Sequence, residues 1–267
     1  MNKCYTVTFG DVAENHVGMQ KIGALATNGY LPDRLYHLYE QLSELGLECE
    51  IINLSDNLPK DLVKHGAKDL VKPGAKDLVK QGAFVLVIRR GVQYILQTED
   101  TKLIMDEHDE LPMDKKALMN GKVVNKQARY NLCFSEEDQE PNYELGRGRI
   151  ISYERVSLTN RIREQIAIWT EDTLLNGEAN YYYNIRKCGI GYHGDAERRK
   201  VFAFRMGASM PLYFQWYLYS NPIGEKIKIE LDDGDMYVMS EDAVGHDWKN
   251  RTIPTLRHAT GCDKYTR

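Results

Sequence analysis

The chain has 267 residues, of which 42% are hydrophobic and 28% charged, and a formal net charge of -4. This length suits one large domain or a catalytic domain with a smaller companion, and the composition excludes a disordered or fibrous chain. The acidic balance excludes coating of nucleic acid by bulk electrostatics and leaves room only for a local basic patch.

Taken in chain order, Tyr5-Thr6-Val7-Thr8-Phe9 is strand-like, and the segment Gly10-Asp11-Val12-Ala13-Glu14-Asn15-His16 after it reads as a turn held by an Asn or His cap. Residues 32–45 are amphipathic with helical spacing, and residues 50–54 and 84–88 read as strands. Together they predict a small α/β domain over residues 1–104. Within it, residues 60–83 hold three copies of an eight-residue unit, KDLVKHGA, KDLVKPGA and KDLVKQGA. Solenoid units are several times longer, so the repeat reads as a surface insertion of one or two helical turns broken by Pro73 and the glycines, or else as a partner-binding surface. The longest strongly apolar run, residues 83–88, is far too short to cross a bilayer, and the amino terminus lacks the basic-then-apolar pattern of a secretory leader. The five cysteines, Cys4, Cys49, Cys133, Cys188 and Cys262, show none of the close spacings of zinc or redox motifs. A soluble, intracellular protein with no membrane partner is expected.

From about Met105 the pattern changes. A polar stretch containing Pro112 and Pro141 leads to a predicted helix over residues 157–169, with Ser157 and Thr159 as cap candidates. Short β-rich runs then follow at residues 201–206, 212–219, 226–231, 236–239 and 252–256, separated by turn residues, which indicates a barrel or jelly roll. The expected fold class is therefore α+β, with a jelly-roll catalytic domain over residues 105–267.

The chemistry concentrates in Gly189-Ile190-Gly191-Tyr192-His193-Gly194-Asp195-Ala196-Glu197-Arg198. Residues two apart on a strand end point the same way, so His193 and Asp195 present an imidazole and a carboxylate to one cation. One later histidine completes a two-His, one-carboxylate face, the arrangement of non-haem Fe(II) oxygenases. Both His246 and His258 are candidates. His258 lies 63 residues past Asp195 in a strand-like run, whereas His246 sits in a polar loop, Gly245-His246-Asp247-Trp248-Lys249.

Residues 117–267 resemble the AlkB-like branch of the Fe(II)/2-oxoglutarate dioxygenases. There an Asn-x-Tyr strand precedes a Gly-Ile-Gly-x-His-x-Asp-x-Glu segment, matched here by Asn180-Tyr181-Tyr182 and then Gly189 through Glu197. The resemblance implies a double-stranded β-helix, Fe(II) on His193 and Asp195, and 2-oxoglutarate as cosubstrate hydrogen-bonded by Asn180 and Tyr182. With His258 as the third ligand, Arg267, or less well Lys264, is left to pair with the distal carboxylate of 2-oxoglutarate. With His246, the run Arg251 to Arg257 stands where the family carries Arg-x-Asn-x-Thr-Phe-Arg, and Arg257 would make that contact, although the Asn and Phe of the motif are absent. Residues 121–130 are similar to the family's lid segment, so Lys122, Arg129 and Tyr130, together with Glu197, are expected on the substrate side. A basic and aromatic mix of this kind holds a flipped or single-stranded base.

The implied function is oxidative demethylation or hydroxylation of a nucleic-acid base, with single-stranded or methylated nucleic acid as partner. Two other readings stand beside it: a hydroxylase of a protein side chain or small molecule, and a barrel that binds without catalysing. The wording of the chain, notably Gly10 to His16 and the GDMYVMSEDAVG segment, also resembles uncharacterised proteins of large DNA viruses, which implies a virus-infected host cell.

Overall fold

The computed structural model describes residues 2–59, 62 and 82–267. The repeat at 60–83 lies outside the described residues except for Leu62 and its last two positions, Gly82 and Ala83. The elements in order are β1 (Cys4–Gly10), β2 (Val12–Glu14), β3 (Lys21–Gly23), α1 (Pro32–Glu44), β4 (Cys49–Asn53), β5 (Phe84–Ile88), α2 (Gly91–Leu96) and α3 (Lys102–Asp109). They continue with β6 (Lys116–Met119), β7 (Lys122–Asn125), β8 (Tyr130–Ser135), β9 (Ile150–Ser152), α4 (Ser157–Thr170), β10 (Asn176–Tyr182) and β11 (Gly189–His193). The last are β12 (Val201–Gly207), β13 (Leu212–Leu218), β14 (Asn221–Ile229), β15 (Met236–Met239), α5 (Glu241–Val244), β16 (Thr255–Gly261) and α6 (Asp263–Thr266).

The fold is mixed α/β with sheets predominant. Eight strands form one sheet in the order β4-β5-β15-β12-β1-β10-β8-β9, and four form a second in the order β11-β16-β13-β14. Neighbours are antiparallel except β8 and β9, which run parallel. Strand β1 lies between β10 and β12, and β5 pairs with β15. Residues on both sides of position 104 thus contribute to one sheet, a long-range pairing that the order of elements along the chain does not reveal.

Alternation along the strands sorts residues between the faces of the large sheet. Tyr5, Val7 and Phe9 of β1 stand opposite Met206, Phe204 and Phe202 of β12 in register, and this apolar face is covered by helices. Leu35, Leu38 and Leu42 recur at helical spacing on α1 and are buried there, as are Ile162, Ile166 and Trp169 of α4. Pro32 opens α1, where its fixed φ suits the first helical turn. Neither Ser157 nor Thr159 caps α4 with its side chain. Glu107 of α3 does so instead, accepting from the amides of Leu158 at 2.9 Å and Thr159 at 3.0 Å.

The opposite face of the large sheet meets the small sheet. Val85, Val87, Ala203, Tyr237 and Met239 pack there against Leu212, Phe214, Trp216 and Leu256, as in two sheets stacked face to face. Beside this core the same face turns polar along β1, β10 and β12, where Thr6, Thr8, Glu178, Asn180, Tyr182 and Arg205 wall a cavity of about 490 Å³.

Candidate metal centre

His193 is the last residue of β11, and antiparallel pairing of β11 with β16 sets it directly opposite His258. The two imidazole centroids are 4.5 Å apart. After His193 the chain turns at Gly194, where a Cβ would meet the Gly245 carbonyl oxygen at 2.1 Å; only glycine permits this approach. The Asp195 amide then donates to the Val244 carbonyl at 3.0 Å, fixing the carboxylate under the two rings. One Asp195 oxygen lies 3.5 Å from Nε2 of His193 and 3.5 Å from Nε2 of His258. The ligand atoms of the three side chains all fall within 4.8 Å of one another.

The tautomer at His193 follows from its contacts. Its Nδ1 faces two carbonyl oxygens, of Gly191 at 2.8 Å and His258 at 3.0 Å, so Nδ1 carries the hydrogen and Nε2 presents a lone pair to the gap. Burial, aided by the neighbouring His258, pushes His193 down to about 3, which keeps it neutral. Burial alone would raise Asp195, but the charges of His258 and Arg198 outweigh it and hold the carboxyl below its usual range. Two imidazoles and one carboxylate therefore converge on one point, and a cation bound there would take the place of any proton between them.

Around this cluster the cavity wall is charged. Arg198 is buried and bonds Glu178 at 2.6 Å and Glu197 at 3.0 Å, and its Nε lies 3.7 Å from Asp195. Burial works against its charge, and those carboxylates more than restore it. Glu197, half-buried and beside the negative Asp195, is pushed up to about 7 by desolvation and that charge. Glu14, Asn15, His16 and Val17 of the amino-terminal segment line the same cavity. Asp11 anchors that segment by accepting from the amides of Ala26 at 2.7 Å and of Arg199 and Lys200 at 2.9 Å each; neither Asn15 nor His16 provides the expected cap.

The expected site residues divide clearly. His258, Asn180, Tyr182, Arg129 and Glu197 join His193 and Asp195 on the cavity. Arg129 donates from Nε to the Asn180 side-chain oxygen at 2.6 Å. His246 stands apart from the cluster, its Nδ1 lying 3.2 Å from the Arg198 carbonyl. Arg257 is a neighbour of His258 on β16, so alternation turns it to the other face, where its guanidinium lies 4.0 Å over the Tyr217 ring. Arg267 is exposed, 3.9 Å from Asp263. Neither arginine reaches the cavity, which corrects the expectation that one of them pairs with a cosubstrate. Lys122 is exposed on the β6–β7 hairpin, and Tyr130 stacks on Tyr183 with centroids 4.8 Å apart. Sequence reasoning missed Thr6, Arg205, Tyr237 and Trp248, all on the cavity wall. For Arg205 a signal existed: it is the one charge in the apolar run Val201-Phe202-Ala203-Phe204-Arg205-Met206.

Fold and site together define a sheet-dominated α/β protein with a two-His, one-carboxylate cluster between its sheets. No protein-family profile matches the chain. It is 45% identical over 262 residues to an uncharacterised protein of Acanthamoeba polyphaga mimivirus, an alignment covering 98% of this chain and 97% of the viral one. The chain belongs to the family of that mimivirus protein. No helix among the described residues is long and apolar enough to cross a membrane.

Proposed function

We propose that the protein is an Fe(II)- and 2-oxoglutarate-dependent dioxygenase whose two facing sheets form a double-stranded β-helix. The observation that carries this reading is the convergence of His193, Asp195 and His258, because two imidazoles and one carboxylate on a single side of a cation leave its other positions open. Zinc and iron both accept such donors. The facial two-His, one-carboxylate set with room beside it in a 490 Å³ cavity favours iron.

When bound, Fe(II) with 2-oxoglutarate and O₂ supplies two-electron oxidation of a C–H bond, with succinate and CO₂ as coproducts. The protein's own residues bind and orient. Asn180 and Tyr182 stand on the wall beside the cluster, where they suit a cosubstrate. Arg198 keeps Asp195 ionised and fixed, and the Nδ1 contacts of His193 hold its ring in the ligating orientation.

For the substrate we favour a nucleic-acid base carrying an N-methyl group, whose hydroxylation gives a hemiaminal that loses formaldehyde. Arg129 at the cavity and the exposed Lys122 on the β6–β7 hairpin are the residues that would meet such a strand. The test is succinate formation from 2-oxoglutarate under air, with and without methylated single-stranded oligonucleotides. Turnover stimulated by the oligonucleotide, with formaldehyde released, supports the reading. Turnover indifferent to polynucleotides moves the substrate to a protein side chain or small molecule, and no turnover with iron bound leaves a non-catalytic binding module.

A further inference from the structure

Two arginines are fully sequestered at this cavity, and the chain treats them differently. Arg198 is surrounded by carboxylates of Glu178, Glu197 and Asp195. Arg205 is 0% exposed, yet among the described residues no carboxylate lies within ion-pair distance of it. One of its terminal nitrogens donates to the Met210 carbonyl, and both lie 3.5 Å from the Thr260 hydroxyl oxygen. That hydroxyl spends its own hydrogen on the Pro211 carbonyl at 2.7 Å, so it is only an acceptor for the arginine. The Arg205 Nε has no partner. A buried guanidinium without a counter-charge is costly enough that its persistence requires a compensating anion.

The neighbouring residues point to the same need. Thr6 stands directly across the β1–β12 ladder from Arg205, is buried, and has a hydroxyl with no partner. The Tyr237 hydroxyl also meets the Arg205 side chain. On the facing sheet Thr260 lies two residues past His258 on the same side of β16, so this donor group opens into the cavity that holds the metal cluster.

We infer that Arg205, with Thr6 and Tyr237, binds one carboxylate of a small dicarboxylic acid whose other end faces His193, Asp195 and His258. A guanidinium offers a carboxylate two parallel hydrogen bonds, which an ammonium cannot. Identifying the acid as 2-oxoglutarate rests on the dioxygenase reading; the carboxylate site does not. The arginine comes from β12, in the middle of the large sheet, rather than from the carboxyl-terminal segment where the sequence resemblance looked for it.

The probe is succinate, which has the distal carboxylate but no keto acid with which to chelate a metal. Calorimetric titration of succinate is run on wild type, Arg205→Met, Arg205→Lys, Thr6→Val and Arg257→Ala, each without metal and with anaerobic Fe(II), alongside a separate Fe(II) titration. Succinate binding weakened at least tenfold in Arg205→Met, less in Arg205→Lys and Thr6→Val, and unchanged in Arg257→Ala, is the expected result. Succinate should also raise the melting temperature of wild type but not of Arg205→Met, a difference that a merely structural arginine would not produce. If Arg205→Met does not fold, Thr6→Val and Arg205→Lys decide the matter. Equal affinity in the folded variants and wild type, or no succinate binding by wild type, overturns the site. Failure of wild type to bind Fe(II) instead counts against the dioxygenase reading, and the metal-free succinate titration still tests Arg205.

Discussion

At the scale of single residues, Gly194 and His108 make separate claims. Alanine at 194 drives a Cβ into the Gly245 carbonyl and the Trp248 side chain, neither of which can swing aside. Gly194→Ala is expected to destabilise the fold by about 1–3 kcal/mol and to weaken metal binding by displacing Asp195, read by thermal melts and Fe(II) titration. His108 is 0% exposed, and its Nε2 lies 2.8 Å from a Thr159 hydroxyl whose hydrogen goes to Glu107, so Nε2 must donate. Burial pushes His108 down to about 3, below the ordinary value of 6.5 that it regains on unfolding. Between those values the unfolded chain binds the extra proton, so this contribution is complete above pH 6.5 and is lost as pH falls toward 3, at about 1.4 kcal/mol per unit. Chemical-denaturation curves of His108→Gln should fall less steeply over that interval than those of wild type; equal slopes would refute the assignment. At this scale His193 and Asp195 could be singled out by their spacing at a strand end, although β11 stops at His193 and the chain turns at Gly194 between them. His258 was preferred to His246 because it lies in a strand-like run, but only the β11–β16 register shows it opposite His193, and Arg205 was visible only as an unexplained charge in an apolar run.

At the scale of elements, regular patterning was the readable part. Alternation located β1, β5, β12 and β15 closely, and helical spacing located α1 and α4 to within a residue at each end. The capping of α4 was not readable, because its acceptor comes from α3, some 50 positions away. A carboxylate at a helix amino terminus both satisfies free amides and complements the helix dipole. Glu107→Ala should therefore cost about 0.5–2 kcal/mol, measured by urea denaturation, whereas Ser157→Ala should cost much less. A reversal of that order would restore Ser157 as the cap. The segment from Gly10 to His16 read as a capped turn, whereas its polar side chains act through partners distant in the chain, such as Asp114, 2.8 Å from Asn15.

At the scale of the whole molecule, the central position of β1 in the large sheet has a mechanical consequence. A fragment of residues 105–267 lacks the strand between β10 and β12, and with it the apolar face that α4 covers. Such a fragment is expected to show no cooperative thermal transition, while the full chain unfolds in one step; a fragment that melts cooperatively would establish an independent carboxyl-terminal domain. The central claim is that one cation sits on His193, Asp195 and His258 with room for a chelating cosubstrate. Its most direct test is to add one equivalent of Fe(II) and excess 2-oxoglutarate to protein purified without oxygen, and to record the weak visible charge-transfer band of the chelate in wild type, His193→Ala, His258→Ala and His246→Ala. A band is expected in wild type and His246→Ala and none in the other two. No band in folded wild type, or a band that survives His258→Ala and vanishes in His246→Ala, would contradict the claim.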